Sequence, residues 1–273
     1  MEGVRLNVLP TERLQRLRGI VVAAAREELV PRFADVARRS KADGSWVTEA
    51  DTAMQARLAA ELARAWPTYA FMGEEMSAAE QGAVLAAGHH PTWCLDPLDG
   101  TTNFTNGVPF YAVSLALLAG GQLILGMVYD PVRDECFMAE QGQGAWLNDA
   151  VLKPNPAPLA LRRCMGVVDF KRLTPRLASR LGQDPPYASQ RSFGACALDW
   201  CWLAAGRFQI YLHGGQRLWD YAAGNLILTE AGGHSCTLDG EALFDGSLDP
   251  RSAVGALDPD LFRAWQAWIA IHR

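Results

Sequence analysis

Between residues 11 and 39 the apolar side chains Leu14, Leu17, Val21, Ala24, Ala25 and Leu29 recur three or four positions apart. That spacing lines one face of an α-helix, so a long helix is expected here, kinked at Pro31. Residues 48–66 repeat the pattern with Met54, Leu58 and Leu62, and Pro67 stands beyond the end. A short strand at 69–72 and a small helix at 77–87 follow, then the apolar, β-forming run Thr92-Trp93-Cys94-Leu95. From there the period shortens. Segments 111–118, 123–129 and 135–139 read as strands separated by Gly120-Gly121 and Asp130-Pro131, the signature of an antiparallel meander. Beyond the proline-rich stretch 153–158, strands at 164–169 and 208–212 alternate with helices at 175–181, 195–205 and 219–231. A last helix carries Trp265 and Trp268 as packing residues. Such alternation predicts an α/β layer. The prolines mark a boundary between an N-terminal α+β subdomain, 1–153, and a C-terminal α/β subdomain, 154–273.

Composition narrows the choice of partners. The chain has 273 residues, 49% of them hydrophobic, enough for one large domain or two compact halves with a buried core. A net charge of −5 without a long basic run argues against nucleic acid as the main ligand. The early arginines, Arg13 to Arg39, are spread along a helical pattern and read as a solvated face. No stretch approaches the ~18–20 apolar residues of a membrane span, and no early apolar run suits a signal peptide. A soluble, cytoplasmic protein is expected. The 6 cysteines include no Cys-x-x-Cys pair and no neighbouring His, so they are expected in the core.

The candidate chemistry lies in Asp96-Pro97-Leu98-Asp99-Gly100-Thr101-Thr102-Asn103-Phe104, just after the strand at 92–95. Pro97 and Gly100 are expected to set a rigid turn that holds Asp96 and Asp99 close together, with backbone carbonyls and the Thr101 hydroxyl beside them. Two carboxylates at that range repel unless a cation lies between them. Oxygen donors without His or Cys suit a hard cation, Mg²⁺ before Ca²⁺ or Mn²⁺. A turn merely decorated with acids is the plainer alternative. Thr48 and Asp51 can likewise be explained as the capping box of the helix that follows them, and Asp220 as a first-turn acid of its own helix.

This stretch resembles the first signature of the inositol monophosphatase family of Mg²⁺-dependent, Li⁺-sensitive phosphatases. Trp219-Asp220-Tyr221-Ala222-Ala223-Gly224 resembles the second signature. Val47-Thr48-Glu49-Ala50-Asp51 and Gly73-Glu74-Glu75 match in order and approximate separation, so the resemblance covers nearly the whole chain. It implies a layered αβαβα sandwich of the inositol monophosphatase and fructose-1,6-bisphosphatase type, working as a homodimer. Two or three Mg²⁺ per site are implied, held by Glu74, Asp96, the Leu98 carbonyl, Asp99 and Asp220. Asp51, Thr101 and Glu74 are the implied catalytic residues, with Asp51 and Thr101 orienting a metal-activated water that attacks phosphorus directly. Substrate contacts are implied at Gly100, Thr101, Thr102, Cys196, residue 213 and Asp220, with Lys41 and Glu75 as supporting residues.

Position 213 departs from the family pattern. Inositol phosphatases place there a Glu that binds ring hydroxyls, whereas this chain has His213 followed by Gly214-Gly215. Imidazole cannot accept from neighbouring hydroxyls in pairs as a carboxylate does. The resemblance implies a small phosphate ester as substrate, and an inositol-1-phosphatase-like reaction is the leading expectation. A sibling phosphatase for 3′-phosphoadenosine 5′-phosphate, histidinol phosphate or fructose 1,6-bisphosphate stays open. So does a regulatory binding protein of the same fold.

Overall fold

The computed structural model describes residues 10–40, 46–88, 90–156 and 158–273. Helix α1 (Glu12–Glu28) opens on Thr11, whose side chain accepts the Leu14 N–H, and buries the predicted stripe from Leu14 to Ala25. The helix is shorter than the periodicity suggests. Pro31 lacks an N–H and falls in a separate 3₁₀ turn, Val30–Arg32; the chain then extends into strand β1 (Arg38–Ser40), antiparallel to β2 (Trp46–Thr48). The arginines of α1 are also more engaged than a solvated face requires. Arg13 pairs with Glu140, Arg18 with Asp149 and Arg26 with Asp134, so the helix is strapped to the turns of the sheet below it.

Helix α2 (Glu49–Ala65) buries Met54, Leu58 and Leu62, and strand β3 (Ala70–Gly73) follows. Helix α3 (Ala78–Ala87) leads to strand β4 (Thr92–Asp99), every residue of which is buried. The expected turn at Pro97 is absent. The strand runs on through Asp99 with an irregularity between Asp96 and Asp99, and the chain turns only at Gly100, ahead of the short helix α4 (Thr101–Thr105). Proline is tolerated in a strand at such a bulge, where no ladder hydrogen bond is lost. Gly100 has φ +89°, and a Cβ there would lie 3.0 Å from the Phe110 carbonyl oxygen and 3.1 Å from the Ala195 Cβ.

The meander comprises β5 (Ala112–Ala119), β6 (Gln122–Asp130) and β7 (Glu135–Glu140). It continues, beyond expectation, into β8 (Gly144–Leu147) and β9 (Ala150–Val151). Strands β3 to β9 form one seven-stranded sheet in chain order, antiparallel except for the parallel pair β3 and β4. The second sheet draws on β10 (Met165–Asp169), β11 (Ser189–Arg191), β12 (Ile210–Gln216), β13 (His234–Cys236) and β14 (Arg251–Ala256). Its order is β11-β10-β12-β14-β13, with β10 parallel to both neighbours and β14 antiparallel to both of its own. The helices of this half are α5 (Pro175–Gln183), α6 (Cys196–Ala204), α7 (Leu218–Glu230) and α8 (Pro259–His272).

Apolar packing sets the layer order, because each sheet face and helix stripe must be covered. One core joins α1 and α2 to the first face of the seven-stranded sheet, through Leu14, Leu58, Trp93 and Met127. A second joins the opposite face to α6 and α7 and on to the five-stranded sheet, through Phe137, Trp200, Tyr221 and Tyr211. A third seals the outer face of that sheet with α5 and α8, through Val168, Leu177 and Trp265. The result is an αβαβα sandwich whose middle layer, α6 and α7, is almost wholly buried. Among the described residues no helix is long and apolar enough to cross a membrane.

Candidate functional site

The parallel pair β3 and β4 brings the first acids together. Gly73, the last residue of β3, lies opposite Leu95, so Glu74 comes out beside Asp96 of the continuing strand β4, and the Glu74 N–H donates to the Leu95 carbonyl at 3.0 Å. Gln81 Nε2 donates to the Gly73 carbonyl at 2.9 Å, and the Glu75 N–H donates to Gln55 Oε1 at 3.0 Å, so helices α2 and α3 both hold the exit of β3. Asp96 is buried, and its Oδ1 accepts the Leu98 N–H at 3.0 Å. Burial and the charges of Glu74, Asp99 and Asp220 push its pKa well above the usual carboxylate range.

Asp99 reaches the other way. Its Oδ2 accepts the Ala197 N–H at 2.6 Å, at the start of α6, where the N-cap residue Ala195 has no side-chain hydrogen bond to offer. Burial, then the charge of Asp220, raises its pKa well above the usual range against the lowering effect of the Ala197 and Cys196 amides. Asp220, half-buried in the first turn of α7, accepts the Arg217 N–H at 2.8 Å, and burial followed by Glu74 pushes it up to about 6. Ser114 Oγ donates to the Trp219 carbonyl at 2.9 Å, and Ser114 pairs with Asp96 across β4 and β5. One serine therefore ties the start of α7 to the sheet position of Asp96.

Asp51 enters from α2. Its Oδ2 accepts the Thr48 N–H at 2.7 Å and the Thr48 hydroxyl at 2.6 Å, while Oδ1 lies 3.1 Å from Thr101 Oγ1. Capping and site building thus use opposite oxygens of one carboxylate. Thr101 Oγ1 is also 3.0 Å from the Leu98 carbonyl. Burial raises the Asp51 pKa, against the Thr48 hydrogen bonds that lower it. Asn103 Nδ2 donates to the Phe110 and Phe193 carbonyls at 2.8 and 2.7 Å, which anchors the α4 turn.

Glu74, Asp96, Asp99, Asp220, Asp51, Thr101 and the Leu98 carbonyl therefore converge on one end of the two sheets. Gly100 closes the turn between them, Thr102 is exposed on α4, and Cys196 opens α6 half-buried with its thiol pushed well above the usual range by burial. The remaining cysteines are free and buried. Lys41 lies outside the described residues. Among the described residues no group of three or more His, Cys, Asp or Glu is already gathered so that it could hold a metal ion. Each aspartate instead has one oxygen fixed by a backbone amide. The donor set nonetheless fits a hard divalent cation: it is all oxygen, largely buried, and the strongest charges acting on Asp96 are negative.

Sequence reasoning missed Asp169 and Asp199. Asp169 closes the apolar run of β10 as Asp96 closes Trp93-Cys94-Leu95, and Asp199 is the lone acid inside the apolar helix α6. Both patterns are readable signals. His213 is buried within β12 rather than beyond a strand ending at 212.

The family model described as the inositol monophosphatase family matches residues 12–270. A Nus factor SuhB from Pasteurella multocida strain Pm70 is 37% identical over 234 residues, covering 84% of each chain. Inositol monophosphatase 1 of Solanum lycopersicum is 37% identical over 232 residues, 80% of each. Among solved structures, an extragenic suppressor protein suhB from Bartonella henselae superposes with a TM-score of 0.81 at 27% identity, covering 95% of this chain and 98% of that one.

Proposed function

The chain belongs to the inositol monophosphatase family, and on that premise we propose that it is a Mg²⁺-dependent phosphomonoesterase acting on a small phosphorylated metabolite in an inositol-1-phosphatase-like reaction. The observation that carries this reading is the Thr101–Asp51 contact of 3.1 Å beside the acids Glu74, Asp96, Asp99 and Asp220. Those acids and the Leu98 carbonyl would hold two or three Mg²⁺, which supply charge neutralisation of the phosphate and activation of water.

The residues have separate tasks. Thr101 Oγ1 accepts a proton of the attacking water and passes its own to Asp51 Oδ1. Asp51 suits that role because burial raises its pKa and two bonds from Thr48 fix its orientation. The amides of Gly100 and Thr101 stand at the start of α4, where helix geometry leaves N–H groups unpaired, and would bind phosphate oxygens. Water adds across the P–O ester bond, so no Ser, Cys or His nucleophile and no phosphoenzyme is required. Cys196, Thr102, His213 and Asp220 would flank the alcohol portion. The reading extends to inhibition by Li⁺, to a cytoplasmic homodimer, and to phosphate esters rather than nucleic acid as ligands.

A panel of phosphate esters assayed with Mg²⁺, with chelator and with Li⁺ tests this. Hydrolysis that needs Mg²⁺ is expected; full activity in excess chelator would sink it. The relatives named Nus factor SuhB favour a second reading, a binding protein of the same fold. Inactivity on every ester would favour it.

A further inference from the structure

Helix α3 is docked by a polar residue. Among the described residues of this helix the one that is buried is Gln81, 6% exposed, while Val84 and Leu85 are only partly covered. A buried carboxamide costs free energy unless its hydrogen bonds are made. Gln81 Nε2 makes two, to the Gly73 carbonyl at 2.9 Å and to the Glu74 carbonyl at 3.3 Å. The side chain that seats α3 is therefore bound to the backbone of the acid that follows β3.

Other main-chain groups around Glu74 are held as well. The Gly73 N–H points to the Met76 sulfur at 3.2 Å, the Glu74 N–H donates to the Leu95 carbonyl at 3.0 Å, and the Glu75 N–H donates to Gln55 Oε1 at 3.0 Å. Gln55 lies four residues after Asp51 on α2, hence one turn along the same face. A Cβ on Gly73 would fall 2.1 Å from Gln55 Oε1, so glycine at 73 is what lets Gln55 reach the Glu75 amide. With the backbone fixed from both helices, only side-chain torsions remain to set where the Glu74 carboxylate points. Its charge acts on Asp51, Asp96, Asp99 and Asp220, so a displacement of this one acid is felt by all of them.

We propose that Gln81, with Gln55 as the second arm of the clamp, is a positioning residue that fixes Glu74 for cation binding and so sets the affinity of the site for Mg²⁺. The inference rests on the reading of Glu74 as a Mg²⁺ ligand and adds residues outside the acidic cluster. Mg²⁺ tolerates little departure from octahedral geometry, so an acid free to drift binds it less well. Groups that orient a ligand tune affinity without touching the ion. Neither glutamine is charged, so replacing either by a neutral residue alters the geometry of the site and leaves its charge as it was.

The test is calorimetric titration of Mg²⁺ into the wild-type protein, Gln81→Met, Gln55→Met and Ser77→Ala. Melting curves and hydrolysis of p-nitrophenyl phosphate at increasing Mg²⁺ accompany it. Methionine keeps the length of glutamine and loses the amide. Ser77 caps α3, its Oγ accepting the Glu80 N–H at 3.3 Å, so Ser77→Ala loosens the helix and leaves the Gln81 bonds in place. Loss of the clamp should raise the Mg²⁺ dissociation constant about fivefold or more in both Met variants. The Mg²⁺ needed for half-maximal rate should rise likewise, with kcat and the KM of the ester at saturating Mg²⁺ close to the wild-type values. Ser77→Ala should lower Tm and leave the constant unchanged. If the wild-type protein binds Mg²⁺ but hydrolyses nothing, the phosphatase reading fails while the titrations still decide the role of Gln81. A wild-type protein that binds no Mg²⁺ would refute both. An unchanged constant in Gln81→Met would overturn the inference alone. An equal rise in Ser77→Ala would overturn it too, by tracing the effect to helix stability. Should Gln81→Met not fold, the constant of Gln55→Met decides, and no change there would overturn the clamp.

Discussion

The Asp99 carboxylate accepts the Ala197 N–H at 2.6 Å, so a residue of β4 closes the first turn of a helix 98 residues further along the chain. The acid is at once a cap and a member of the proposed cation site. Asp99→Asn keeps an acceptor for the helix, whereas Asp99→Ala removes it. Both variants should lose Mg²⁺-dependent hydrolysis. Only Asp99→Ala should lose the cap, which is worth about 1 kcal/mol, or about 2–4 °C in Tm relative to Asp99→Asn. Equal melting temperatures would deny the capping role.

Crowded acids also predict a pH dependence. Asp220 is pushed up to about 6, and Asp96 and Asp99 lie well above the usual range, chiefly through burial. Above the ordinary aspartate value of about 3.9, the folded chain therefore holds protons that the unfolded chain has released, and stability falls as pH rises. Asp169 is shifted downward by its His213 bond, so its contribution is complete at lower pH and does not oppose the trend. In chelator, Tm should fall between pH 5 and 7, and Mg²⁺ should flatten the fall. A rise over that range in chelator would contradict the proposed crowding.

Thr101 separates catalysis from folding more cleanly than Asp51, which also caps α2. Thr101→Val keeps the shape and removes the hydroxyl between Asp51 and the Leu98 carbonyl. A drop in kcat of about 100-fold or more is expected, with Thr101→Ser retaining most activity. Comparable rates for Val and Ser would exclude the relay.

Gly100→Ala should destabilise the fold by about 1–2 kcal/mol, from left-handed strain and the crowding of a Cβ against Phe110 and Ala195. The midpoint of denaturant unfolding reads this directly, and an unchanged midpoint would mean that the turn relaxes without cost.

His213→Glu places a second carboxylate opposite Asp169 and removes the Nε2–H that faces it. Like charges at that spacing repel. The substitution is therefore expected to raise KM for myo-inositol 1-phosphate. A lower KM would mean that the new carboxylate binds the ring hydroxyls despite that repulsion.

Local pattern carried much of this protein. The α1 stripe, the β5–β7 meander, the alternation after residue 164 and the candidate acids were all legible. Periodicity, turn residues and strand-end acids are properties of neighbouring residues, and the family signatures are contiguous. The ends of elements were less so. Pro31 stops α1 instead of kinking it, and Pro97 sits inside β4 because a bulge accommodates it. Short strands such as β11 and β13 have too few residues to show a period, and only their partners define them. The tertiary structure alone decided which carboxylate oxygen faces which group. It set Asp51 between Thr48 and Thr101, Asp99 on α6, and Asp169 opposite His213. These are contacts between strands and helices distant in sequence. Their geometry follows from sheet register and the packing of buried layers, which no stretch of neighbouring residues encodes.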